Sequence, residues 1–228
     1  MARNLFLKIF EKIHIFQNLY LKNKCFLNKE TYSMDKEDVE VRKYFKDKKN
    51  GFFVDVGSYH PLHRNNTMLL YKEGWRGINI DISDFSIKLF NHIRPEDLNI
   101  NLAVSKKEGY VDMFFQKKLS QLSTIKKISA ESAFQGKIKT AKIISKTLTE
   151  IIDKSKYEGK KIDFLEIDVE GADLDVLESL DFSKYSPELI CVEVIKENNE
   201  ESDIFKFLKN KNYQKIWSGV FSHIFKKL

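Results

Sequence analysis

The sequence is poor in the residues that cross-link or interrupt a chain. Its 228 residues include only two cysteines and three prolines. Cys25 and Cys191 are too few for a disulfide framework, and neither lies in a Cys-x-x-Cys pair or near a histidine-rich stretch. This pattern excludes a structural zinc site and fits a reducing cytoplasm, where we expect the protein to act. No apolar run approaches the ~20 residues of a membrane-spanning helix, so a transmembrane protein is not expected.

The bulk composition indicates a folded protein rather than a disordered chain. Hydrophobic residues make up 42% of the sequence and aromatic residues 13%, which is enough apolar mass for a large core. The length suits one large α/β domain or two small ones. Lys and Arg total 39 and Asp and Glu total 33, so the formal net charge is +6. This modest excess permits contact with anionic partners without requiring it.

The first 24 residues combine apolar and basic side chains. Lys8, Glu11 and Lys12 interrupt the apolar run and no small-residue cleavage site follows, so a signal peptide is not expected. Large apolar residues recur at helical spacing and predict one apolar stripe: Phe6, Ile9, Phe10, Ile13, Phe16 and Tyr20. Either this helix docks on the body of the protein, or it is a basic amphipathic helix on an anionic membrane surface. In the second case residues 1–24 would make a peripheral contact with the inner face of the membrane. The lysines near the head groups would then be Lys8, Lys12, Lys22 and Lys24.

From Gly51 onward, short β-rich runs alternate with helical patterns, which predicts a parallel sheet wrapped by helices. The predicted strands are Phe52–Val56, Gly77–Ile82, Leu98–Val104, Ile162–Val169 and Glu188–Val194. The predicted helices between them are Asn65–Glu73, Asp84–His92, Ala172–Leu180 and Glu200–Asn210. The C-terminus predicts a hairpin around Ser218-Gly219, with strands Tyr213–Trp217 and Val220–Phe225. We therefore predict an N-terminal helical extension over residues 1–48 and an α/β domain over residues 49–228.

The segment from Lys106 to Lys161 is less regular. It predicts short strands over Tyr110–Phe115 and Lys139–Ser145, then a helix from Thr147 to Asp153 in which Glu150 completes a capping box. Residues 126–146 are rich in lysine: Lys126, Lys127, Lys137, Lys139, Lys142 and Lys146 stand against the single acid Glu131. This run is either a solvated charged face or a rim that binds an anionic substrate or phosphate.

The first strand of the predicted domain ends in Asp55 and Gly57, ahead of a loop that leads into a helix. Ligands of open α/β sheets bind at such strand ends, and Gly57 would let the backbone approach one closely. A dinucleotide fold needs another glycine two residues later, but Tyr59 stands there, followed by His60-Pro61. The loop therefore favours S-adenosylmethionine, which has no phosphate. Asp81 ends the second strand, where an acid binds ribose hydroxyls; alternatively, Asp55 and Asp81 only cap the helices that follow.

Carboxylates are concentrated after the fourth predicted strand. Asp168 and Glu170 are alternate residues and so point the same way, and Gly171 then turns the chain into a helix. Glu193, at the end of the fifth strand, is expected to join them. Because like charges repel, this cluster requires a cation, a metal or substrate hydroxyls as its partner. Glu166, in mid-strand, needs a partner that the sequence does not identify.

Several blocks of the sequence together resemble one family. They lie between Tyr32 and Glu193: GFFVDVGSYHP, NNTMLLYKEGWRGINIDIS, NLAVS, LSTI, KTLTEIID and IDFLEIDVEGADLDVLESL. The blocks are similar to the FkbM family of methyltransferases, class I enzymes that use S-adenosylmethionine. The resemblance implies a Rossmann-like, mostly parallel seven-stranded sheet with a C-terminal antiparallel hairpin and an N-terminal helical extension. It also implies O-methylation of a sugar, a glycan or a related hydroxylated metabolite.

The same resemblance implies roles for individual residues. Cofactor contacts are implied for Asp55, Gly57 and Ser58 at the methionine end, Asp81 at the ribose, and Asn101 and Ala103 near the adenine. Acceptor contacts are implied for Asp168, Glu170 and Gly171, with Glu193 expected beside them. The sequence departs from the family pattern at Met34, where many members have glutamine, and at His60-Pro61.

Methyl transfer to oxygen requires that a nucleophile be aligned with the sulfonium methyl group and that the hydroxyl proton be removed. We therefore expect either a base or a divalent-metal cluster formed by Asp168, Glu170 and Glu193. His60 is the other candidate base, although a structural role for it is equally consistent with the sequence.

Three other functions are less favoured by the sequence. RNA methylation would use the lysine run, but no Arg-rich or aromatic-interleaved patch accompanies it, so nucleic acid is not an expected partner. A noncatalytic membrane-associated binding protein is disfavoured because Asp55, Gly57, Asp81 and the segment 168–171 are all intact. A dehydrogenase is disfavoured by the Tyr59 loop. A small-molecule or glycan acceptor is the expected partner.

Overall fold

A computed structural model describes residues 2–22, 29–194 and 202–228. In these ranges the strands are β1 (Phe52–Val56), β2 (Arg76–Asp81), β3 (Leu98–Asn101), β4 (Ala103–Val104), β5 (Gly109–Phe115), β6 (Lys139–Lys146), β7 (Phe164–Ile167), β8 (Leu189–Glu193), β9 (Tyr213–Ser218) and β10 (Ser222–Lys227). The helices are α1 (Ala2–Phe16), α2 (Glu37–Tyr44), α3 (Met68–Lys72), α4 (Asp84–Ile93), α5 (Lys127–Ala133), α6 (Leu148–Asp153), α7 (Asp173–Glu178) and α8 (Asp203–Asn210). A π-helical segment, Gln17–Lys22, continues α1. Lys24, Cys25 and the first two residues of the predicted helix Glu200–Asn210 lie outside the described residues.

The main sheet follows the strand order β3-β2-β1-β7-β8-β10-β9. The first five of these strands pair in parallel, whereas β10 runs antiparallel to both β8 and β9. This confirms the predicted, mostly parallel seven-stranded sheet with a C-terminal hairpin. The chain moves outward from β1 to β2 and β3, and the later strands add on the other side of β1. The strand order therefore reverses between β1 and β7, which is where open α/β sheets bind ligands.

Burial on both faces explains why the central strands are mostly apolar. All five residues of β1 are buried. Val54 and Val56 pack in one cluster with Leu165 of β7. Phe53 points to the opposite face and packs with Trp75 in a second cluster. Successive strand side chains alternate between faces, so each residue of a central strand needs an apolar partner unless it serves the site.

The predicted strand Leu98–Val104 is wrong in its extent. β3 ends at Asn101, and Ala103 then pairs with Ser145 in a separate three-stranded sheet of order β4-β6-β5. The Asn101 side-chain amide donates to the Asp81 carbonyl oxygen at 2.9 Å, which holds the end of β3 beside the end of β2. The other two strands of this small sheet, β5 and β6, agree with the short strands predicted from the sequence.

Helix α6 begins at the predicted N-cap, but the capping box is only half formed. Thr147 Oγ1 accepts a hydrogen bond from the Glu150 N–H at 3.2 Å. The Glu150 carboxylate binds Lys146 and Lys154 instead of reaching back to Thr147. Four lysines of the basic run are ion-paired: Lys126 with Asp175, Lys127 with Glu131, Lys142 with Asp112 and Lys146 with Glu150. These pairs favour the charged-face interpretation of the run over an anion-binding rim.

The predicted N-terminal helix is confirmed, and it contacts the body of the protein, but not through its apolar stripe. Phe6, Phe10 and Ile13 are 67%, 62% and 58% exposed. The segment is attached through the opposite side of α1, where the Glu11 carboxylate binds Lys88. It is also attached through the π-helical continuation, where Leu19 is fully buried against a cluster that includes Phe85. Across the described ranges, no helix is both long enough and apolar enough to cross a bilayer.

Helix α2 belongs to the same packed structure as the sheet. Val41 and Phe45 join Phe53 and Trp75 in one buried cluster, and the Phe45 and Trp75 rings meet edge to face at 5.0 Å. Residues 29–48 thus contribute to the core on one side of the sheet. The division of the chain at residue 48 stays a prediction.

Candidate active site

A cleft that is partly open to solvent lies at the carboxyl edge of the main sheet. It spans the ends of β2, β1 and β7, where the strand order reverses. Its walls are largely apolar, with contributions from Ile80, Leu102 and Val169. Among the predicted site residues, the following line the cleft: Gly57, Asp81, Ala103 and Asp168.

Gly57 is required by the packing of two strand ends. Its φ is +88°, and a Cβ at this position would lie 1.8 Å from the Asp168 carbonyl oxygen. Its N–H donates to the Ile80 carbonyl oxygen at 2.9 Å. The absence of a side chain therefore lets the backbones that follow β1 and β7 approach each other. This backbone contact is an additional reason for glycine, beside the predicted approach of a ligand.

Asp81 is held at the cleft by two backbone donors. Its Oδ2 accepts from the Tyr59 N–H at 2.7 Å, and its Oδ1 accepts from the Ser83 N–H at 2.6 Å. Burial raises the pKa of Asp81 to about 6, although these hydrogen bonds act in the opposite direction. Each carboxylate oxygen retains a lone pair for a ligand hydroxyl. The carboxyl group is thus fixed in position and still able to accept.

Asp55 ends the neighbouring strand but does not line the cleft. Its Oδ2 accepts from Thr67 Oγ1 at 2.7 Å and from Asn65 Nδ2 at 3.3 Å. The fully buried Arg94 guanidinium donates to Thr67 Oγ1 at 3.0 Å and so braces the same group. Burial raises the pKa of Asp55 to about 6 against these stabilising contacts. In this geometry Asp55 anchors the loop before α3, and the structure does not bring it to the cleft.

Asp168, Glu170 and Glu193 lie together beside the cleft. One carboxylate oxygen of each is within 4.8 Å of the others. Burial and then the Glu193 charge raise the pKa of Asp168 well above its usual range. Burial, together with neighbouring carboxylates, raises the pKa of Glu170 and of Glu193 to about 8. Asp168 Oδ1 and Glu193 Oε2 are buried and have no hydrogen-bond partner within the described part of the chain.

The turn after β7 positions this acidic cluster. Asp173, which was not predicted to be a site residue, stabilises that turn. Glu170 and Gly171 both have positive φ, 56° and 94°. Asp173, the first residue of α7, accepts from the Val169 N–H and from the Gly171 N–H, each at 3.0 Å. Two backbone bonds to one carboxylate lock the left-handed turn that orients Glu170. An acid at the start of a helix after a glycine turn was the available sequence signal.

Three other predicted site residues do not line the cleft. His60 is 1% exposed and its Nδ1 accepts from the Leu62 N–H at 3.0 Å. Burial lowers the pKa of His60 to about 3, so the ring stays neutral inside the fold and does not face the cleft as a base would. Ser58 is buried and its N–H donates to the Ile80 carbonyl oxygen at 3.1 Å. Asn101 is exposed and bridges to the backbone of β2.

One loop of the cleft was not identified from the sequence. Its lining residues are Ser120, Gln121, Ser123, Thr124 and Ile125, and Tyr59 lines the cleft as well. Thr124 exchanges backbone hydrogen bonds with Phe114 at 2.8 and 3.2 Å. Its Oγ1 also donates to the Glu170 carbonyl oxygen at 3.0 Å, which ties this loop to the acidic turn. The LSTI block of the family resemblance covers part of this loop and was the one signal for it.

Glu166 has a partner in the structure that the sequence did not identify. Its Oε1 accepts from Asn66 Nδ2 at 2.8 Å. It stands in register between Asp55 of β1 and Cys191 of β8, in the interior of the sheet. Burial raises the pKa of Glu166 well above its usual range, and the Asp55 charge adds to this. Glu166 is therefore a buried acid with a raised pKa beneath the strand ends.

The charge of the cleft limits the ligand that it accepts. Among the described residues that line it, two are carboxylic acids and none is Lys, Arg or His. A pyrophosphate would meet Asp81 and Asp168 without a basic partner, which disfavours a dinucleotide. S-adenosylmethionine carries a sulfonium and an ammonium group, so its charge is complementary to these acids. The donor set therefore fits S-adenosylmethionine.

Comparisons with known proteins agree with this fold. The family model for the methyltransferase FkbM domain matches residues 55–215, more than half of the chain. A methyltransferase FkbM from Methylobacillus flagellatus KT has a similar structure at 11% identity and a TM-score of 0.52. That alignment covers 96% of this chain and 60% of the other, so this chain spans three-fifths of that protein's length.

A more distant structural likeness is to a proposed RNA methyltransferase from Pyrococcus horikoshii. It has 11% identity and a TM-score of 0.40, and covers 87% of this chain and 88% of the other. At that TM-score the likeness carries no argument about function. No curated protein matches the sequence.

Proposed function

Because the chain belongs to the FkbM methyltransferase family, we propose that it is an S-adenosylmethionine-dependent O-methyltransferase. The proposed acceptor is a hydroxyl group of a sugar, a glycan or a related hydroxylated metabolite. The observation that carries this proposal is the acidic cleft at the reversal of strand order, with Asp81 on one side and Asp168 on the other. A cationic, phosphate-free cofactor and a hydroxyl acceptor both suit carboxylates.

The proposed cofactor site is formed by residues of β2 and of the small sheet. Asp81, fixed by the Tyr59 and Ser83 N–H groups, would accept hydrogen bonds from the ribose hydroxyls. Leu102 and Val104 would provide apolar contact for the adenine. Gly57 lines the cleft at the end of β1, and Asp55 supports the loop from behind.

The acceptor half uses the three clustered carboxyl groups. When bound, S-adenosylmethionine supplies an electrophilic methyl group, whose carbon–sulfur bond breaks as the acceptor oxygen attacks it. Asp168 lines the cleft and would be ionised once a cationic cofactor lies beside it; it then takes the hydroxyl proton and becomes neutral. Glu170 and Glu193 would hold adjacent hydroxyls, while burial and then the Glu193 charge raise the pKa of Asp168. A carboxylate with a raised pKa is a stronger base than one with the usual value.

A metal-assisted form of the same reaction would use the same three residues. Carboxylate oxygens are the donors that Mg²⁺ and Mn²⁺ prefer, and Asp168, Glu170 and Glu193 would hold the ion. It would acidify the acceptor hydroxyl in place of a free base. Activity that survives a strong chelator supports the metal-free form, whereas loss that Mg²⁺ restores supports the other.

Nucleic acid is not the proposed acceptor. A phosphodiester backbone would need free basic side chains. Lys126 and Lys142 are instead paired with acids, and the cleft is lined by carboxyl groups. A noncatalytic role would leave the clustered, unpartnered carboxylates without a use. Action in the cytoplasm stays a prediction from the cysteine content.

The test is methyl transfer from labelled S-adenosylmethionine to a panel of nucleotide sugars, glycans and RNA. We expect label in a hydroxylated acceptor, lost in Asp168→Asn and kept in Asp112→Asn. Asp112 is a matched control, since it lies on β5 and pairs with Lys142 at the surface. Label in RNA alone would overturn the acceptor class, and label at equal rates in Asp168→Asn would overturn its role as base.

A further inference from the structure

Helix α1 presents its apolar side chains to solvent. Phe6, Phe10 and Phe16 are 67%, 62% and 54% exposed. Ile9 and Ile13 lie between them and are about half exposed. These residues recur every three to four positions and so form one continuous stripe, which we call the outward stripe. Exposed apolar patches of this kind mark surfaces that another structure or a lipid phase covers.

The opposite side of α1 faces the protein. The Glu11 carboxylate binds the Lys88 ammonium on α4, and the His14 ring stacks on Phe85 at 4.5 Å. Ile15 packs on the same cluster. The residues of α1 that contact the protein begin at Glu11, and the outward stripe begins at Phe6. The two sets of residues are therefore offset by five positions. At about 100° per residue the two faces are about 140° apart. The helix therefore attaches by its more polar side and leaves its apolar side unused.

The charge beside the outward stripe identifies what covers it. Lys8 and Lys12 are exposed, and neither forms an ion pair with any residue that the structure describes. Glu11, the one acid among residues 2–22, is already bound to Lys88. The exposed surface of α1 is thus apolar and cationic without a compensating carboxylate.

We infer that α1 docks the protein on an anionic phospholipid surface, with the outward stripe in the acyl boundary and Lys8 and Lys12 at the head groups. An amphipathic helix with aromatic residues on one face and lysines at its border has the chemistry of an interfacial helix. A second copy of the chain is disfavoured as the occupant. A symmetric contact through this stripe would bring the unpaired lysines of two copies close together without acids between them.

The test is co-sedimentation of the full chain with vesicles of phosphatidylserine and phosphatidylcholine (1:1), against vesicles of phosphatidylcholine alone. We expect binding to the anionic vesicles that is at least about tenfold tighter, since each lysine near such a surface contributes about fivefold. Phe10→Ser/Ile13→Ser and, separately, Lys8→Glu/Lys12→Glu should each weaken it by about tenfold or more. Ile128→Ser, an exposed isoleucine on α5, is the matched control and should bind as the parent does.

Two further measurements keep the inference open to refutation. Thermal unfolding and binding of S-adenosylhomocysteine should be unchanged in all variants, so lost vesicle binding would not report misfolding. Failure of the parent protein to bind anionic vesicles, or equal binding by the variants, would overturn the inference. So would a dimer in sedimentation analysis that Phe10→Ser/Ile13→Ser dissociates and that excludes vesicles. The inference rests on α1 alone and would survive failure of the proposed methyl transfer.

Discussion

At the carboxyl ends of β7 and β8 the protein buries carboxyl groups, whereas along α1 it leaves phenylalanine and isoleucine side chains in water. Asp168 Oδ1 has no partner in its buried position within the described chain, and Phe10 is 62% exposed on the surface of its helix. Burying an unpaired charge and exposing apolar area are both unfavourable for folding. Neither arrangement is needed by the sheet, whose central strands pack mainly through apolar clusters on both faces.

The two regions differ in how the protein compensates for these unfavourable positions. At the strand ends, raised pKa values let the acids take up protons, so the fold tolerates them until a ligand supplies partners. On α1 no such adjustment exists, because an apolar side chain cannot change its charge. The acidic cluster is therefore stable as an isolated site, while the outward stripe gains stability only from contact with another phase. Mutations in the acidic cluster and mutations in the outward stripe should therefore have separable effects.

The largest effect is expected at the acidic cluster. Asp168→Asn removes the proposed base and should lower the methyl transfer rate by about 10²–10⁴-fold, while leaving the melting temperature at or above that of the parent. Rates from a methyl transfer assay and melting by circular dichroism measure the two effects. A variant with low activity and a much lower melting temperature would show that Asp168 supports the fold rather than the reaction.

The next largest effect is expected to distinguish the buried side of the N-terminal helical segment from its exposed side. Leu19→Ala removes a fully buried side chain and should lower the free energy of unfolding by about 2–5 kcal/mol. Phe10→Ser, on the exposed stripe, should change it by no more than about 0.5 kcal/mol. Urea denaturation of both variants measures this difference. Equal losses would mean that the outward stripe is packed in solution and would remove the contrast between the two regions.

A smaller, pH-dependent effect is expected for Glu193. Its pKa is raised from 4.5 to about 8, so the parent protein loses stability as pH rises through this interval and the buried group ionises. Glu193→Gln cannot ionise and should be more stable than the parent at pH 9, by an amount on the order of 1 kcal/mol, but not at pH 4. Denaturation at both pH values checks this. If Glu193→Gln gained as much stability at pH 4 as at pH 9, repulsion between carboxylates would not be the cause of the gain.

The sequence predicted the main sheet well because its signals are local. β1 has the predicted bounds, since five consecutive apolar or buried residues between loop residues permit little else. The strand Leu98–Val104 was too long because its apolar pattern continues across Asn101. The break there depends on pairing between Ala103 and Ser145, 42 positions apart in the chain.

The candidate site was predicted only in part, for a similar reason. Residues at strand ends, such as Asp81 and Asp168, could be placed at the cleft from the alternation of strands and helices. Asp55 also stands near the end of a predicted strand, but its carboxylate accepts hydrogen bonds from Thr67 and Asn65. No local sequence pattern predicts these two hydrogen bonds. The loop containing Thr124 reaches the cleft through bonds to Phe114 and Glu170, which are also remote in sequence.

We propose that the carboxyl groups of Asp81 and Asp168, at the ends of β2 and β7, bind a phosphate-free adenosyl cofactor. Calorimetric titration with S-adenosylhomocysteine, with NAD as the competing ligand, tests it most directly. We expect one molecule bound per chain, no heat with NAD, and an affinity about 10- to 100-fold lower in Asp81→Asn than in the surface control Asp84→Asn. No binding by the parent protein, or an unchanged affinity in Asp81→Asn, would contradict it.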